Sequence, residues 1–191
     1  MRVLMIIPAY NEEESIFDTV TSIVNYRKKV DFDLDYVVIN DGSTDKTKQI
    51  LEENHFNAVH LVMNLGIGGA VQTGYKYALE HDYDVAVQFD GDGQHDIESL
   101  SDLLEPIRKN EADLVIGSRF VGDVKSEFQT TFMRRFGISV ISNLIKWTTG
   151  QRVLDTTSGY RLADKAVIKQ FAKRYPIKYP EPETIVHILK R

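Results

Sequence analysis

The sequence predicts one α/β domain built on a mostly parallel central sheet with helices on both faces. Short apolar runs alternate with helical patterns through the first two-thirds of the chain, which is the order of a β-α-β fold. These runs are continuously apolar, as in strands whose two faces are both covered. The 191 residues are 42% hydrophobic and 27% charged, which suits one folded domain with a large core.

The individual elements follow from apolar periodicity and from the turn residues between the runs. The first apolar run ends at Pro8, and Ile16, Val20 and Ile23 then share one face of a helix. Ser43 marks the start of the second helix, and a glycine-rich turn precedes the third. The predicted strands are residues 3–7, 36–39, 58–62, 85–89 and 114–116, and the predicted helices are residues 12–27, 46–54, 70–80 and 97–109.

Composition excludes several classes of protein. The net charge of −5 argues against a nucleic-acid-binding protein, because such proteins are usually basic. The absence of cysteine excludes disulfides, cysteine-ligated zinc and thiol catalysis. No run reaches the about 18–20 apolar residues of a membrane-spanning helix, and the first run lacks a signal-peptide cleavage site. We therefore expect a cytoplasmic protein.

Polar loops follow the predicted strands. Ligands of parallel sheets bind outside the carboxyl ends of the strands, so we expect these loops to line one cleft. They are residues 8–12, 40–45, 64–69, 90–95 and 117–119, and each is rich in Asp, Asn, Gly or Arg.

Asp90, Asp92 and Gln94 form a candidate metal site after an apolar strand. Two carboxylates and an amide oxygen suit Mg²⁺ or Mn²⁺, and such ions commonly bridge substrate phosphates. A plain surface turn is one alternative, since Asp and Gly are turn residues. A phosphatase of the haloacid-dehalogenase type is another, although its Asp-x-Asp usually lies near the N-terminus.

Asp41 and the glycine-rich turn are candidates for nucleotide binding. Asp41 could accept hydrogen bonds from a base imide or a ribose, and its alternative is a plain helix-entry loop. The turn Gly66-x-Gly68-Gly69 offers a helix N-terminus that favours anions. It does not satisfy G-x-G-x-x-G, and no P-loop is present.

These motifs together resemble a known family. In their order and spacing, residues 8–12 (PAYNE), 40–45 (NDGSTD) and 90–92 (DGD) resemble glycosyltransferase family 2, which has the GT-A fold. Residues 64–66 (NLG), 94–95 (QH), 117–119 (GSR) and 157–161 (TSGYR) resemble its branch that glycosylates polyprenyl phosphates. The resemblance covers residues 2–163. It departs from the family at Asn40-Asp41, where an Asp-Asp pair is usual.

The resemblance implies a role for each matching residue. The nucleotide sugar would contact Pro8, Ala9, Tyr10, Glu12, Asp41, Gly68, Asp90, Gly91 and Asp92. Asp90, Asp92 and Gln94 would hold Mg²⁺ or Mn²⁺, and Arg119, Arg135 and Ser139 would bind the acceptor phosphate.

The catalytic residues depend on the acceptor. A phosphate oxygen is already anionic, so Arg119 and Arg135 would align it while Asp92 holds the metal. A hydroxyl acceptor needs a carboxylate base, for which Asp155, Glu181 and Glu183 are the candidates. The GSR and TSGYR matches favour phosphate. A buried Asp155–Arg161 pair that only shapes its loop is the alternative role for Asp155.

The resemblance implies an inverting, metal-dependent hexosyltransferase that uses a nucleotide sugar and a polyprenyl phosphate such as undecaprenyl phosphate. UDP is the expected nucleotide by family habit, with UDP-glucose or UDP-N-acetylglucosamine as examples, in synthesis of cell-wall or surface polysaccharide. Residues 1–118 would form the nucleotide-sugar half and residues 119–191 the acceptor half. A nucleotide-sugar-binding domain without catalysis is the alternative from another class.

A lipid acceptor predicts peripheral attachment at the inner face of the cell membrane. Residues 128–154 combine large apolar side chains, Trp147 among them, with basic ones, as at a headgroup boundary. Closure of the core by the same side chains is the alternative. A small membrane-protein partner and a homo-oligomer are compatible with this interpretation, whereas a nucleic-acid partner is not expected.

Overall fold

The computed structural model describes residues 1–89, 97–117, 159–176 and 184. Within them the strands are β1 (Arg2–Ala9), β2 (Asp33–Asn40), β3 (Ala58–His60), β4 (Val85–Gln88), β5 (Leu114–Ile116) and β6 (Arg161–Asp164). The helices are α1 (Ile16–Tyr26), α2 (Thr47–Glu53), α3 (Gly66–Glu80), α4 (Leu100–Arg108) and α5 (Lys165–Lys173), and a 3-10 turn (Ile97–Ser99) precedes α4. The five predicted strands and four predicted helices are thereby confirmed.

The described strands form one sheet in the order β3-β2-β1-β4-β6-β5. Strand β1 pairs in parallel with β2 and β4, and β2 pairs in parallel with β3. Strand β6 is antiparallel to both β4 and β5. The prediction of a mostly parallel sheet is confirmed. Arg161, expected to close a polar loop between two helices, instead begins strand β6, whereas residues 156–158 of that loop lie outside the described residues.

Apolar side chains cover both faces of the sheet. On one face, Val3, Met5 and Ile7 of β1 pack in a cluster with residues of α1, α2 and α4. On the other face, Leu4 and Ile6 pack with residues of α3 and α5. Successive side chains of a strand point to opposite faces, so a continuously apolar strand supplies both cores. The predicted helices on both faces are confirmed.

Several element ends near the carboxyl edge of the sheet differ from the predicted ones; β3 ends at His60 rather than at residue 62, and α1 begins at Ile16 rather than at residue 12. Strand β1 continues through Pro8 and Ala9, which belong to the strand rather than to the following loop. Helix α3 begins at Gly66, so the glycine-rich turn is the first turn of this helix. Among the described helices, none is both long and apolar enough to cross a membrane.

Candidate active site

Asp41 joins the ends of three neighbouring strands. Its backbone N–H donates to the carbonyl of Ala9 at 2.9 Å, which connects the ends of β1 and β2. Its carboxylate Oδ1 accepts from the backbone N–H of Leu65 at 2.7 Å, which adds the loop after β3. Asp41 is only 2% exposed, so this carboxylate is fixed within the edge of the sheet.

The loops after β1 and β2 exchange hydrogen bonds in both directions. Backbone N–H groups of the first loop donate to side chains of the second: Asn11 to Ser43 Oγ (3.0 Å), Glu12 to Thr47 Oγ1 (2.8 Å) and Glu13 to Asp45 Oδ2 (3.1 Å). In the other direction, the backbone N–H of Thr44 donates to Asn11 Oδ1 (2.8 Å) and that of Lys46 donates to Glu13 Oε2 (3.0 Å). Each loop therefore satisfies backbone groups of the other, and the two form one unit.

Asn40 uses both ends of its amide. Its Oδ1 accepts from the backbone N–H of Ser43 at 3.2 Å, and its Nδ2 lies 3.0 Å from Nδ1 of His60. An amide nitrogen only donates, so His60 Nδ1 accepts and the imidazole proton lies on Nε2. An ionised aspartate would require the opposite arrangement, because a carboxylate only accepts and His60 Nδ1 would then have to carry the proton. Asparagine at this position thus selects the tautomer of His60 whose proton lies on Nε2.

Gly42 and Gly66 have positive φ angles of +70° and +76°, which residues other than glycine rarely adopt. A Cβ at Gly42 would lie 2.7 Å from the backbone nitrogen of Asn64 and 2.8 Å from the carbonyl carbon of Met63. The loops after β2 and β3 thus approach each other as closely as backbone allows. Gly66 has open space around it, so only its φ angle favours glycine.

The described members of the predicted nucleotide pocket lie at this one edge. Pro8 and Ala9 are buried at the end of β1, whereas Tyr10 directly after them is 47% exposed. The carboxylate of Glu12 accepts from Ser15 Oγ at 2.7 Å, and Gly68 is buried in the first turn of α3. Their contacts with a nucleotide sugar remain a prediction.

The other predicted site residues lie outside the described residues. They are Asp90, Gly91, Asp92, Gln94, Arg119, Arg135, Ser139 and Asp155, together with the alternative bases Glu181 and Glu183. Within the described part of the chain, no cluster of three or more His, Asp or Glu side chains could hold a metal ion. The predicted ligands Asp90, Asp92 and Gln94 lie outside that part, so the metal site stays a prediction.

A buried polar cluster lies at the end of β4. Arg161 is 1% exposed, and its Nη1 donates to Thr184 Oγ1 at 2.7 Å. Gln88 is the cross-strand neighbour of Arg161, and its Oε1 accepts from the hydroxyl of Tyr175 at 3.1 Å. We call Gln88, Arg161, Tyr175 and Thr184 the Arg161 cluster. It lies where β4 gives way to the predicted metal loop.

Tyr75 of α3 packs beside this cluster. Its ring lies 5.0 Å from that of Phe171 and 5.6 Å from that of Tyr175. Burial raises the pKa of Tyr75, and the positive charge of Arg161 acts in the opposite direction. The phenol is therefore neutral at physiological pH, and no hydrogen-bond partner for it occurs among the described residues.

Sequence reasoning missed the residues that organise this edge. Thr47 and the backbone of Leu65 support the loops around Asp41, and Thr184 holds the guanidinium of Arg161. These contacts join residues 23 to 35 positions apart, so no local pattern reveals them. The only local signal was the helix start at Ser43-Thr44-Asp45, which predicted a capped loop but not its partner.

Comparison with known proteins identifies the family. Residues 5–174 match glycosyl transferase family 2. The chain belongs to this family. The predicted resemblance to the family is thereby confirmed, and relatives named for prenyl-phosphate substrates confirm the predicted branch.

Two relatives of this glycosyltransferase are named for transfer to prenyl phosphates. The UDP-N-acetylglucosamine–dolichyl-phosphate N-acetylglucosaminyltransferase of Methanococcus voltae is 32% identical, over 91% of this chain and 75% of the relative. The undecaprenyl-phosphate mannosyltransferase of Micrococcus luteus is 38% identical, over 84% of this chain and 65% of the relative. The chain thus spans about two-thirds to three-quarters of these relatives, so the activity of the whole protein is a proposal.

A solved structure confirms the fold of the family. Glucosyl-3-phosphoglycerate synthase from Mycobacterium tuberculosis, in complex with Mn²⁺, UDP-glucose and phosphoglyceric acid, has a TM-score of 0.63 and 21% identity. The match covers 87% of this chain and 57% of that one. The GT-A fold predicted from the motifs is confirmed.

Proposed function

We propose that this glycosyltransferase moves a sugar from a nucleotide diphosphate to a polyprenyl phosphate at a membrane surface. The observation that carries the proposal is the convergence of three strand ends on Asp41, at the edge where the family motifs lie. In open α/β sheets this edge is the usual ligand site. The names of the prenyl-phosphate relatives support the choice of acceptor.

The sugar donor is a UDP-sugar in this proposal, with UDP-glucose and UDP-N-acetylglucosamine as the first candidates. Exposed Tyr10 provides an aromatic face beside the fixed loops. The first turn of α3 presents backbone N–H groups at the same edge, which favour an anionic ligand. Residues 1–118 form the nucleotide-sugar half, and residues 119–191 form the acceptor half.

The proposed metal site fits Mg²⁺ or Mn²⁺ by the chemistry of its ligands. Asp90, Asp92 and Gln94 offer two carboxylates and an amide oxygen, which are the ligands that these ions prefer. The ion would neutralise charge on the diphosphate of the leaving nucleotide. The described chain contributes the start of this loop, because Phe89 N donates to the carbonyl of Ile6 at 3.0 Å and fixes the point of departure.

The acceptor phosphate would lie on Arg119, Arg135 and Ser139. Its oxygen forms a bond to the anomeric carbon while the bond to the diphosphate breaks, and the nucleotide leaves with the electron pair. In-line attack inverts the anomeric centre. The acceptor oxygen is already anionic, so no base is required, and the two arginines hold two anionic substrates together. A hydroxyl acceptor would instead need Asp155, Glu181 or Glu183 as the base.

The proposed membrane contact is residues 128–154. A polyprenyl chain stays in the bilayer, so the phosphate site must reach the headgroup boundary. Sedimentation with anionic liposomes tests this contact. Binding that weakens with salt and with Trp147→Glu supports it, whereas wild-type protein that stays in the supernatant at low salt contradicts it. In that case, attachment to the membrane would depend on a partner or on a further segment. The proposed location at the inner face of the cell membrane and the proposed role in polysaccharide synthesis would then need other support.

One assay tests the function itself. The protein is incubated with a panel of UDP- and GDP-sugars, Mn²⁺ and undecaprenyl phosphate in detergent, and lipid-linked sugar is measured. A glycolipid product whose formation needs the phosphate group supports the proposal. Transfer only to hydroxyl acceptors overturns the choice of acceptor. Binding of a nucleotide sugar without turnover favours the non-catalytic alternative.

A further inference from the structure

The two loops predicted to bind the substrates leave the sheet on either side of Arg161. The metal loop begins two residues after Gln88 of β4, and Arg119 follows three residues after Ile116 of β5. Gln88 and Ile116 are both cross-strand neighbours of Arg161 in β6. Neighbouring strands lie about 4.8 Å apart, so β6 separates the two departure points by about 10 Å.

Tyr160 contacts both departure points, Gly117 through its backbone carbonyl and Phe89 through its ring. The N–H of Gly117 donates to the carbonyl of Tyr160 at 2.8 Å. The ring of Tyr160 packs edge-on against Phe89, with centroids 5.4 Å apart. A Cβ at Gly117 would lie 3.0 Å from the Tyr160 ring, so this glycine fits closely beneath it. Tyr160 thus fixes Phe89 and Gly117, with its ring on the face of the sheet that packs against α1, α2 and α4.

The Arg161 cluster lies on the opposite face of the sheet. Ala86 and Ala163 face the core formed with α3 and α5, so Gln88 and Arg161, two positions away from each, face the same side. There Arg161 is bonded to Thr184, and Gln88 is bonded to Tyr175. All four side chains are at least 95% buried. Buried polar groups lock a structure when they are satisfied and are costly when a partner is lost.

We infer that Arg161 is a positioning residue. It sets the distance between the metal loop after β4, which would hold the sugar donor, and the loop after β5 with Arg119, which would hold the acceptor. This inference rests on the proposed function, because it concerns how the two substrates of that reaction meet. Arg161 itself touches neither substrate in this account. Its backbone pairs with the ends of β4 and β5, while Thr184 holds its guanidinium at the end of β6 and Tyr175 holds Gln88 at the end of β4.

Loosening the Arg161 cluster should uncouple the two half-sites. The glycosidic bond of the nucleotide sugar can still break, but water then attacks the anomeric carbon in place of the acceptor phosphate. The water proton passes to solvent, and the products are free sugar and the nucleoside diphosphate. The ratio of transfer to hydrolysis therefore reports the alignment of the loops, whereas a uniform loss of folded protein lowers both rates equally.

Two of the variants delete one hydroxyl each and nearly keep the shape of the side chain, whereas the third removes a buried guanidinium and shortens its side chain. Thr184→Val and Tyr175→Phe remove the two hydroxyls of the cluster, and Arg161→Gln removes the guanidinium. Tyr26→Phe is the matched control, because its buried hydroxyl bonds to Ser101 Oγ at 2.9 Å between α1 and α4. We expect the ratio of transfer to hydrolysis to fall about tenfold or more in Arg161→Gln and several-fold in Thr184→Val. Tyr26→Phe should leave the ratio unchanged.

The result that overturns the inference is an unchanged ratio in Thr184→Val and Tyr175→Phe, both of which should fold even if Arg161→Gln does not. Amide hydrogen exchange gives a readout that does not need activity. The N–H groups of Phe89 and Gly117 should exchange faster in Thr184→Val, relative to the N–H of Val38, which donates to Asn57 at 2.9 Å on the far side of the sheet. If the wild-type protein shows no glycosyl transfer, the proposed function fails, while faster exchange at these two amides still supports the positioning role of Arg161. If Thr184→Val changes the exchange rates of all three amides by the same factor, or changes none of them, the inference is overturned.

Discussion

The carboxylate of Asp41 accepts the backbone N–H of Leu65 at 2.7 Å, although 24 residues separate the two along the chain. This bond joins the loop after β2 to the loop after β3, at the edge where the nucleotide is expected. Asp41, for which the family resemblance implies a contact with the nucleotide, therefore also shapes the pocket. Its substitution should affect stability and binding together.

Asp41→Ala should destabilise the protein by about 1–3 kcal/mol, because the N–H of Leu65 loses its partner at a partly buried site. UDP affinity should fall with it. Asp41→Asn keeps an acceptor oxygen and should cost less stability. Urea unfolding and calorimetric titration with UDP measure the two effects. Equal stability of wild type and Asp41→Ala would show that Leu65 finds another partner at no cost.

Gly42→Ala should be more harmful than Gly66→Ala, although both residues have positive φ. The left-handed backbone alone costs an alanine about 1–2 kcal/mol. At Gly42 the new Cβ would also meet backbone atoms of Met63 and Asn64, which cannot move aside as a side chain can. Gly66→Ala is the matched control, since nothing lies near its Cβ. Similar unfolding free energies for the two variants would contradict the close approach of the loops.

Removal of the metal should stop turnover of the nucleotide sugar. Asp92→Ala should abolish product formation while thermal unfolding stays near that of the wild type. Chelation should have the same effect, reversed by added Mn²⁺ or Mg²⁺. Full activity in excess EDTA would refute the assignment of Asp90, Asp92 and Gln94.

Arg119→Ala and Arg135→Ala should weaken use of the acceptor. Each removes a charge-assisted contact worth about 1.5–3 kcal/mol, which is roughly ten- to over a hundredfold. Kinetics at varied lipid phosphate and a UDP titration separate the two substrates. Loss of UDP affinity with unchanged use of acceptor would move these arginines to the sugar-donor site.

Asp45 should contribute stability that is lost in acid. Burial acts to raise its pKa, but hydrogen bonds from Thr47 and Glu13 outweigh burial and lower the pKa below its ordinary value of 3.8. A lowered folded pKa gives stability above the unfolded pKa, and this stability disappears as the pH falls through the folded value. Asp45→Asn should lose about 1 kcal/mol or less at pH 7, because solvent screens the site. It should lose less than the wild type on acidification below pH 4. Parallel pH curves of unfolding free energy for the two proteins would contradict this.

The positions of the main strands follow from the sequence because each is a continuous apolar run. Continuous apolar runs that alternate with helical patterns indicate parallel strands, because such strands are buried on both faces. The cleft also follows, because the carboxyl ends of parallel strands must share one edge. The glycine-rich start of α3 does not follow, since glycine disfavours helix. A Cβ at Gly74 would overlap the side chain of Ile6, so close packing of α3 on β1 requires glycine within this helix despite its low helix propensity.

Strand β6 could not be predicted from its own residues. It has four residues, Arg161–Asp164, with a charge at each end. Its burial depends on Thr184 and on strands that are distant in sequence, so its local pattern resembles a polar loop. The contacts between the loops after β1 and β2 escaped prediction for the same reason, because each bond depends on where the partner loop folds.

The insertion of β6 between β4 and β5 has a consequence for the order in which the protein is made. Strand β5 emerges from the ribosome before β6, yet among the described strands it pairs only with β6. A nascent chain that ends before residue 161 would therefore carry β5 without its partner and would present β4 as an open edge. Open edges pair with other chains. Protection during synthesis should thus be needed most between the appearance of β5 and the completion of β6.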